Sequence, residues 1–134
     1  AAEGLTYLEK QQCIHRDIAA RNCLLNSKQV LKISDFGMSD DKAILHDDTL
    51  DKVPIKWLAP ETLKDKIYSL KTDVWSYGIL VWEIYANGAD PYPKWTRVQT
   101  RAKVQLTDER NEIPADTPKE VEKIMKQCWM RNPE

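Results

Sequence analysis

The run from Val74 to Ala86 is apolar on almost every face that a helix could turn. Trp75, Tyr77, Ile79, Leu80, Val81, Trp82 and Ile84 leave Ser76 and Glu83 as its main polar interruptions. It is too short to cross a bilayer. A helix without a wet face belongs at the centre of an assembly of helices, so the rest of the chain must wrap around this segment. Thr72 or Ser69 is positioned to cap its start, and Gly88 to end it.

The flanking sequence supplies the wrapping. Ala1, Leu5 and Leu8 recur at helical spacing and predict an amphipathic helix over 1–12. Cys23-Leu24-Leu25 and Val30-Leu31-Lys32-Ile33 flank Asn26-Ser27-Lys28-Gln29, the pattern of a short hairpin. Residues 38–53 carry many charges and no sustained period, which predicts a mobile loop. After Pro91 and Pro93 comes a weakly amphipathic segment around 95–105. Thr117-Pro118-Lys119-Glu120 then reads as a hydroxyl cap, a proline at the first helical position and a glutamate at the third. Val121, Ile124, Met125, Cys128 and Trp129 form the apolar stripe behind it. No repeat or low-complexity tract interrupts this order.

Composition bounds the function. The 134 residues are 42% apolar and 31% charged, an ordinary balance for one globular domain or part of a larger one. A net charge of −1 and a pI of 6.2 give no electrostatic case for nucleic acid or an anionic membrane. Cys13, Cys23 and Cys128 lack paired metal-ligand spacing and read as reduced, packed thiols of a cytoplasmic protein. No signal peptide or transmembrane stretch is evident. The chain does not begin with Met, and a fragment is expected.

The chemistry lies between the first helix and the hairpin. Residues 15–22 read His-Arg-Asp-Ile-Ala-Ala-Arg-Asn, and Ser-Asp-Phe-Gly follows at 34–37. Asp17 offers a carboxylate to handle a hydroxyl, while Asn22 and Asp35 offer hard oxygen donors for a divalent cation. The hairpin would deliver Asn22 and Asp35 to one place. Further on stands Val53-Pro54-Ile55-Lys56-Trp57-Leu58-Ala59-Pro60-Glu61.

In this order and spacing, these segments resemble the catalytic loop, magnesium loop and substrate platform of protein kinases. The form Asp-x-Ala-Ala-Arg-Asn looks like the tyrosine-specific branch. Serine/threonine kinases usually carry Lys two residues after the catalytic Asp, where this chain has Ala19, and its cation sits at Arg21. A phenol is longer than a serine side chain, so its hydroxyl meets the same carboxylate only if the platform stands further out. Residues 53–61 are similar to such a platform. Cys13-Ile14-His15, the stretch from Leu31 to Ser39, and Cys128-Trp129 most resemble the Fes/Fer-type non-receptor enzymes.

The resemblance implies a mainly α fold: a kinase-like C-terminal lobe with a short β-hairpin carrying the catalytic and magnesium loops, and with the N-terminal lobe absent. Residues 1–134 would then be a partial kinase domain, from the helix before the catalytic loop to just before the last helix. It implies transfer of the ATP γ-phosphoryl group to tyrosine hydroxyls of protein substrates, by a cytoplasmic enzyme. Asp17 would orient the hydroxyl and take its proton late, and Arg21 would steady the phosphoryl group. Asn22 and Asp35 would hold Mg2+ (or Mn2+) on the nucleotide. Pro54, Lys56 and Trp57 would form the substrate platform. His15 would support the loop and Arg16 would grip a phosphotyrosine. Glu61 would pair with an Arg beyond Glu134. Asp73 would hold the catalytic-loop backbone, the plainer alternative being a helix-capping carboxylate.

The family pattern breaks in two places. No Gly-rich loop or phosphate-anchoring strand Lys is present, so the chain alone is expected to be inactive. No tyrosine lies between Gly37 and Pro54. Leu45-His46-Asp47-Asp48 stands in its place, and Asp40 occupies the position where an Arg is common. Asp47 or Asp48 could stand in for the missing phosphate, the plainer alternative being a solvated acidic loop, with Thr49 as a weaker alternative acceptor. A pseudokinase or truncated lobe acting as a binding scaffold is the competing reading. A serine/threonine kinase is opposed by Ala19, Arg21 and Trp57.

Overall fold

The computed structural model describes residues 1–34, 44–46, 55–107 and 109–130, with the backbone alone for 44–46. Helix α1, Ala2–Lys10, buries Leu8 and leads into an extended stretch that reaches strand β1, Cys23–Leu25. Strand β2, Leu31–Ile33, pairs with β1 antiparallel, Cys23 opposite Ile33 and Leu25 opposite Leu31. The connecting turn is fixed by Asn26, whose side-chain oxygen accepts the amides of Lys28 at 2.9 Å and Val30 at 3.0 Å. Strands β3, Ile44–His46, and β4, Ile67–Ser69, form a second antiparallel pair. The loop expected over 38–53 therefore contains a strand. Three residues are too few to show a period in sequence, and the pairing partner lies well downstream.

Helix α2, Pro60–Asp65, ends on Lys66 in the left-handed conformation, φ 57°. The apolar run that starts at Val74 forms most of α3, Leu70–Tyr85. Both suspected caps act at its start. Ser69 Oγ accepts the Lys71 amide at 3.2 Å, and Thr72 Oγ1 accepts the Ser69 amide at 2.9 Å. At the other end the Gly88 amide donates to the Glu83 carbonyl at 2.8 Å, with Gly88 at φ 79°. Trp75, Ile79, Leu80, Val81 and Trp82 are buried, whereas Val74 and Ile84 face outward. The helix thus keeps a narrow open face, contrary to its all-round pattern.

Helix α4, Arg97–Leu106, carries a reciprocal cap from Thr96 and Gln99 that the sequence reading missed. Helix α5, Lys119–Cys128, packs Met125 against α3, with Trp129 just beyond its end. The expected Thr117 cap does not form. Pro118 adopts ψ 145°, so the helix starts one residue later than the pattern suggested. The Thr117 hydroxyl is left buried with no partner among the described residues. Ile124, assigned to the apolar stripe, is largely exposed. All three cysteines are free and half-buried. Burial raises the Cys23 thiol and pushes Cys128 up to about 11. Among the described residues, no helix is long and apolar enough to cross a membrane.

Candidate active site

The stretch from Cys13 to Asn22 has almost no regular structure of its own, and side chains from elsewhere hold it. Arg16 sits at φ 73°, which an L side chain rarely adopts. Asp73, from the first turn of α3 and nearly fully buried, receives the His15 amide at 2.7 Å on Oδ2 and the Arg16 amide at 3.0 Å on Oδ1. Burial raises its carboxyl above the usual range, while the two amides and the adjacent His15 and Arg16 pull it partly back. Ser69, not Asp73, caps the helix.

His15 is completely buried, and its ring bridges two strands of the site. Nδ1 accepts the Asp17 amide at 3.1 Å, so the hydrogen lies on Nε2, which donates to the Ser34 carbonyl at 2.8 Å. Asn22 closes the same ring of contacts. Its Nδ2 donates to the Asp17 carbonyl at 2.7 Å, and its own carbonyl accepts both the amide and the hydroxyl of Ser34 at 2.8 Å. Asn22 Oδ1 makes no hydrogen bond among the described residues, which leaves one hard oxygen free for a cation such as Mg2+. Asp35 and Pro54 lie outside the described residues, as do Asp40, Asp47, Asp48 and Thr49.

Asp17 pairs with Arg21, and the Arg21 guanidinium also lies 4.7 Å over the Trp57 ring. Trp57 is anchored to α3 at both ends. Its indole donates to Glu83 Oε2 at 3.1 Å and its carbonyl accepts the Ser76 hydroxyl at 2.7 Å. Lys56 is paired with Asp90, in the loop after α3. Arg16 stacks over Tyr68 at 4.2 Å, so the side chain expected to meet a phosphate rests on an aromatic ring. Glu61 is half-buried, and burial pushes its carboxyl up against the smaller opposing effect of its own backbone amide.

Ser76, Glu83, Asp90 and Tyr68 escaped the sequence reading as site residues. A signal existed for the first two. Asp73, Ser76 and Glu83 share one face of an otherwise apolar helix, and that face supports the Cys13–Asn22 stretch and Trp57. Nothing local in the sequence marks Asp90 or Tyr68.

A helical body with a hairpin-borne polar loop, laid against a central helix that supplies its buried acids, is the arrangement of a protein kinase. Residues 1–134 match the family model described as protein tyrosine and serine/threonine kinase, and the chain belongs to that family. Several of its relatives are kinases of the Fer/Fes type. Fer-related kinase 1 of Caenorhabditis elegans is 58% identical over 135 residues, covering 100% of this chain and 35% of the relative. Human Tyrosine-protein kinase Fer is 48% identical over 136 residues, covering 16% of the relative. Tyrosine-protein kinase transforming protein Fps of avian sarcoma virus (strain PRCII) is 46% identical over 136 residues, covering 25% of the relative. The chain therefore spans at most 35% of the length of these relatives.

Proposed function

We propose that this chain is the C-terminal-lobe portion of a protein-tyrosine kinase, with residues 1–134 forming part of one catalytic domain. The observation that carries the reading is the placement of Arg21, paired with Asp17 on one side and stacked on Trp57 on the other. A cation of the loop lying between the carboxylate proposed to handle the hydroxyl and the proposed platform supports the tyrosine-specific reading. The names of the relatives, tyrosine-protein kinases Fer and Fps, agree with it.

Asp17 orients the substrate phenol. With a phenol pKa of about 10, a carboxylate does not ionise it beforehand, so the proton moves to Asp17 late. The bond between the phenol oxygen and the γ-phosphorus forms as the bond to the β-phosphate bridging oxygen breaks, leaving ADP. Arg21 steadies the phosphoryl oxygens, and Trp57 with Lys56 and Pro54 supports the substrate backbone. Asn22, through Oδ1, and Asp35 would hold Mg2+ or Mn2+, which supplies charge to offset that on the phosphates. His15, Arg16 and Asp73 keep the loop in shape. ATP and tyrosine-containing proteins are the partners, and the free thiols fit a cytoplasmic setting.

The test uses the full-length protein that carries this chain. A good tyrosine peptide should be phosphorylated, the same peptide with serine in place of tyrosine should lose most of the rate, and Asp17→Asn should abolish transfer while ATP still binds. Equal rates on both peptides would overturn the tyrosine assignment. Full turnover in Asp17→Asn would remove Asp17 from the chemistry.

A further inference from the structure

Glu83 is 7% exposed on α3, facing the catalytic loop. A single oxygen of its carboxylate, Oε2, accepts the backbone amide of Ala20 at 2.9 Å and the indole N–H of Trp57 at 3.1 Å. The donors belong to separate segments, the catalytic loop and the substrate platform. A buried carboxylate is costly, and a well-packed apolar residue would serve stability at least as well. The charge is therefore suited to holding a geometry.

We propose that Glu83 is a positioning residue that sets the spacing between Asp17 and the substrate platform, and so tunes the site to an aromatic hydroxyl. The inference rests on the tyrosine-kinase reading above. The indole N–H is the single donor of the Trp57 side chain, so its bond to Glu83 fixes the orientation of the ring. The ring carries the Arg21 guanidinium at 4.7 Å, and Arg21 in turn holds Asp17. Ser76 fixes the Trp57 backbone from the same helix at 2.7 Å, so the ring is the part Glu83 controls. Loss of the Glu83 bond frees the ring to turn, and Arg21 and Asp17 follow it. Asn22, on the nucleotide side, is held separately, its carbonyl accepting the amide and the hydroxyl of Ser34.

The experiment uses the full-length protein with Glu83→Leu, which removes the acceptor at similar volume, Trp57→Phe and the double variant. Trp57→Phe keeps a ring beneath Arg21 but removes the donor. Each single variant should lower kcat/KM for a tyrosine peptide by about tenfold, the effect of one charge-assisted hydrogen bond, and leave the KM for ATP unchanged. The double variant should be no worse than the worse single, because both remove the same link. Multiplying losses, or a parallel rise in the KM for ATP, would overturn the proposal. Hydrogen exchange reads the bridge without catalysis. Glu83→Leu should deprotect residues 17–21 and 55–59 together and leave α5 protected. Loss confined to one segment, or spread through the whole domain, would overturn it equally. Should the wild-type protein phosphorylate no tyrosine peptide, the kinase reading fails, and the exchange result still decides whether Glu83 couples the two segments.

Discussion

Arg16 keeps a backbone conformation, φ 73°, that costs on the order of 1–3 kcal/mol for a residue with a side chain. It persists because Asp73 accepts both its amide and that of His15. Asp73→Asn leaves one oxygen and turns an NH2 group toward a backbone N–H, so one amide loses its acceptor and faces another donor. Removing the charge recovers part of the burial cost that raises the Asp73 carboxyl, but not the lost acceptor. The substitution should destabilise the fold by about 2 kcal/mol, read as a lower urea midpoint at neutral pH. The catalytic-loop amides of residues 15–17 should lose hydrogen-exchange protection more than α5. A variant as stable as wild type would show that the loop holds its own shape.

Helix α3 meets α5 at Gly78, where close approach decides which residue fits. A Cβ there would come 2.6 Å from Cys128 Cβ and 2.6 Å from Trp129 Nε1. Alanine would gain up to about 1 kcal/mol in helix propensity. The overlap falls on a Cβ and a buried ring rather than on a flexible chain end, and overpacking typically costs about 1–3 kcal/mol. The clash should win, so Gly78→Ala should be net destabilising in urea unfolding. At the helix start, Ser69→Ala should cost about 1 kcal/mol by the same measurement, since Ser69 and Thr72 cap reciprocally. These elements also mark how far the sequence could be read. Long apolar patterns, a turn closed by Asn26 and a Ser-x-x-Thr cap announce themselves because their causes are local. Strand β3 and the Thr96 cap were missed, and Thr117 was assigned a cap it does not form, because three residues show no period and Pro118 admits more than one helix start. In the site, the motif residues were legible as a string. The partners that fix them were not: Glu83 and Asp90 meet Trp57 and Lys56 only through tertiary packing, and Tyr68 meets Arg16 the same way.

At the scale of the whole molecule, the chain carries the loop proposed to handle the hydroxyl and the two proposed metal donors, Asn22 and Asp35, but its four glycines form no Gly-x-Gly pair to cradle phosphates. A polypeptide of residues 1–134 should therefore bind ATP far more weakly than the full-length protein, because positioning and charge neutralisation make up nearly all of this catalysis. Micromolar affinity in calorimetry would refute that. Glu61 offers a finer test of what lies outside the described residues, among which no cation faces it. Burial lifts its folded carboxyl above the ordinary value of 4.5. The folded state then binds the proton more tightly than the unfolded one, so the stability linked to Glu61 is present in full below pH 4.5 and is lost as pH rises through the folded value. Glu61→Gln removes that loss. In the 1–134 polypeptide the substitution should have little effect below pH 4.5, should stabilise increasingly as pH rises from there to the folded value, and should level off above it. In the full-length protein, an Arg of the kind the family places against this carboxylate would reverse the sign, since an unpaired cation would be left behind. Thermal unfolding of both pairs from pH 4 to pH 8 gives the answer. The same sign in both lengths would mean that no such Arg reaches Glu61.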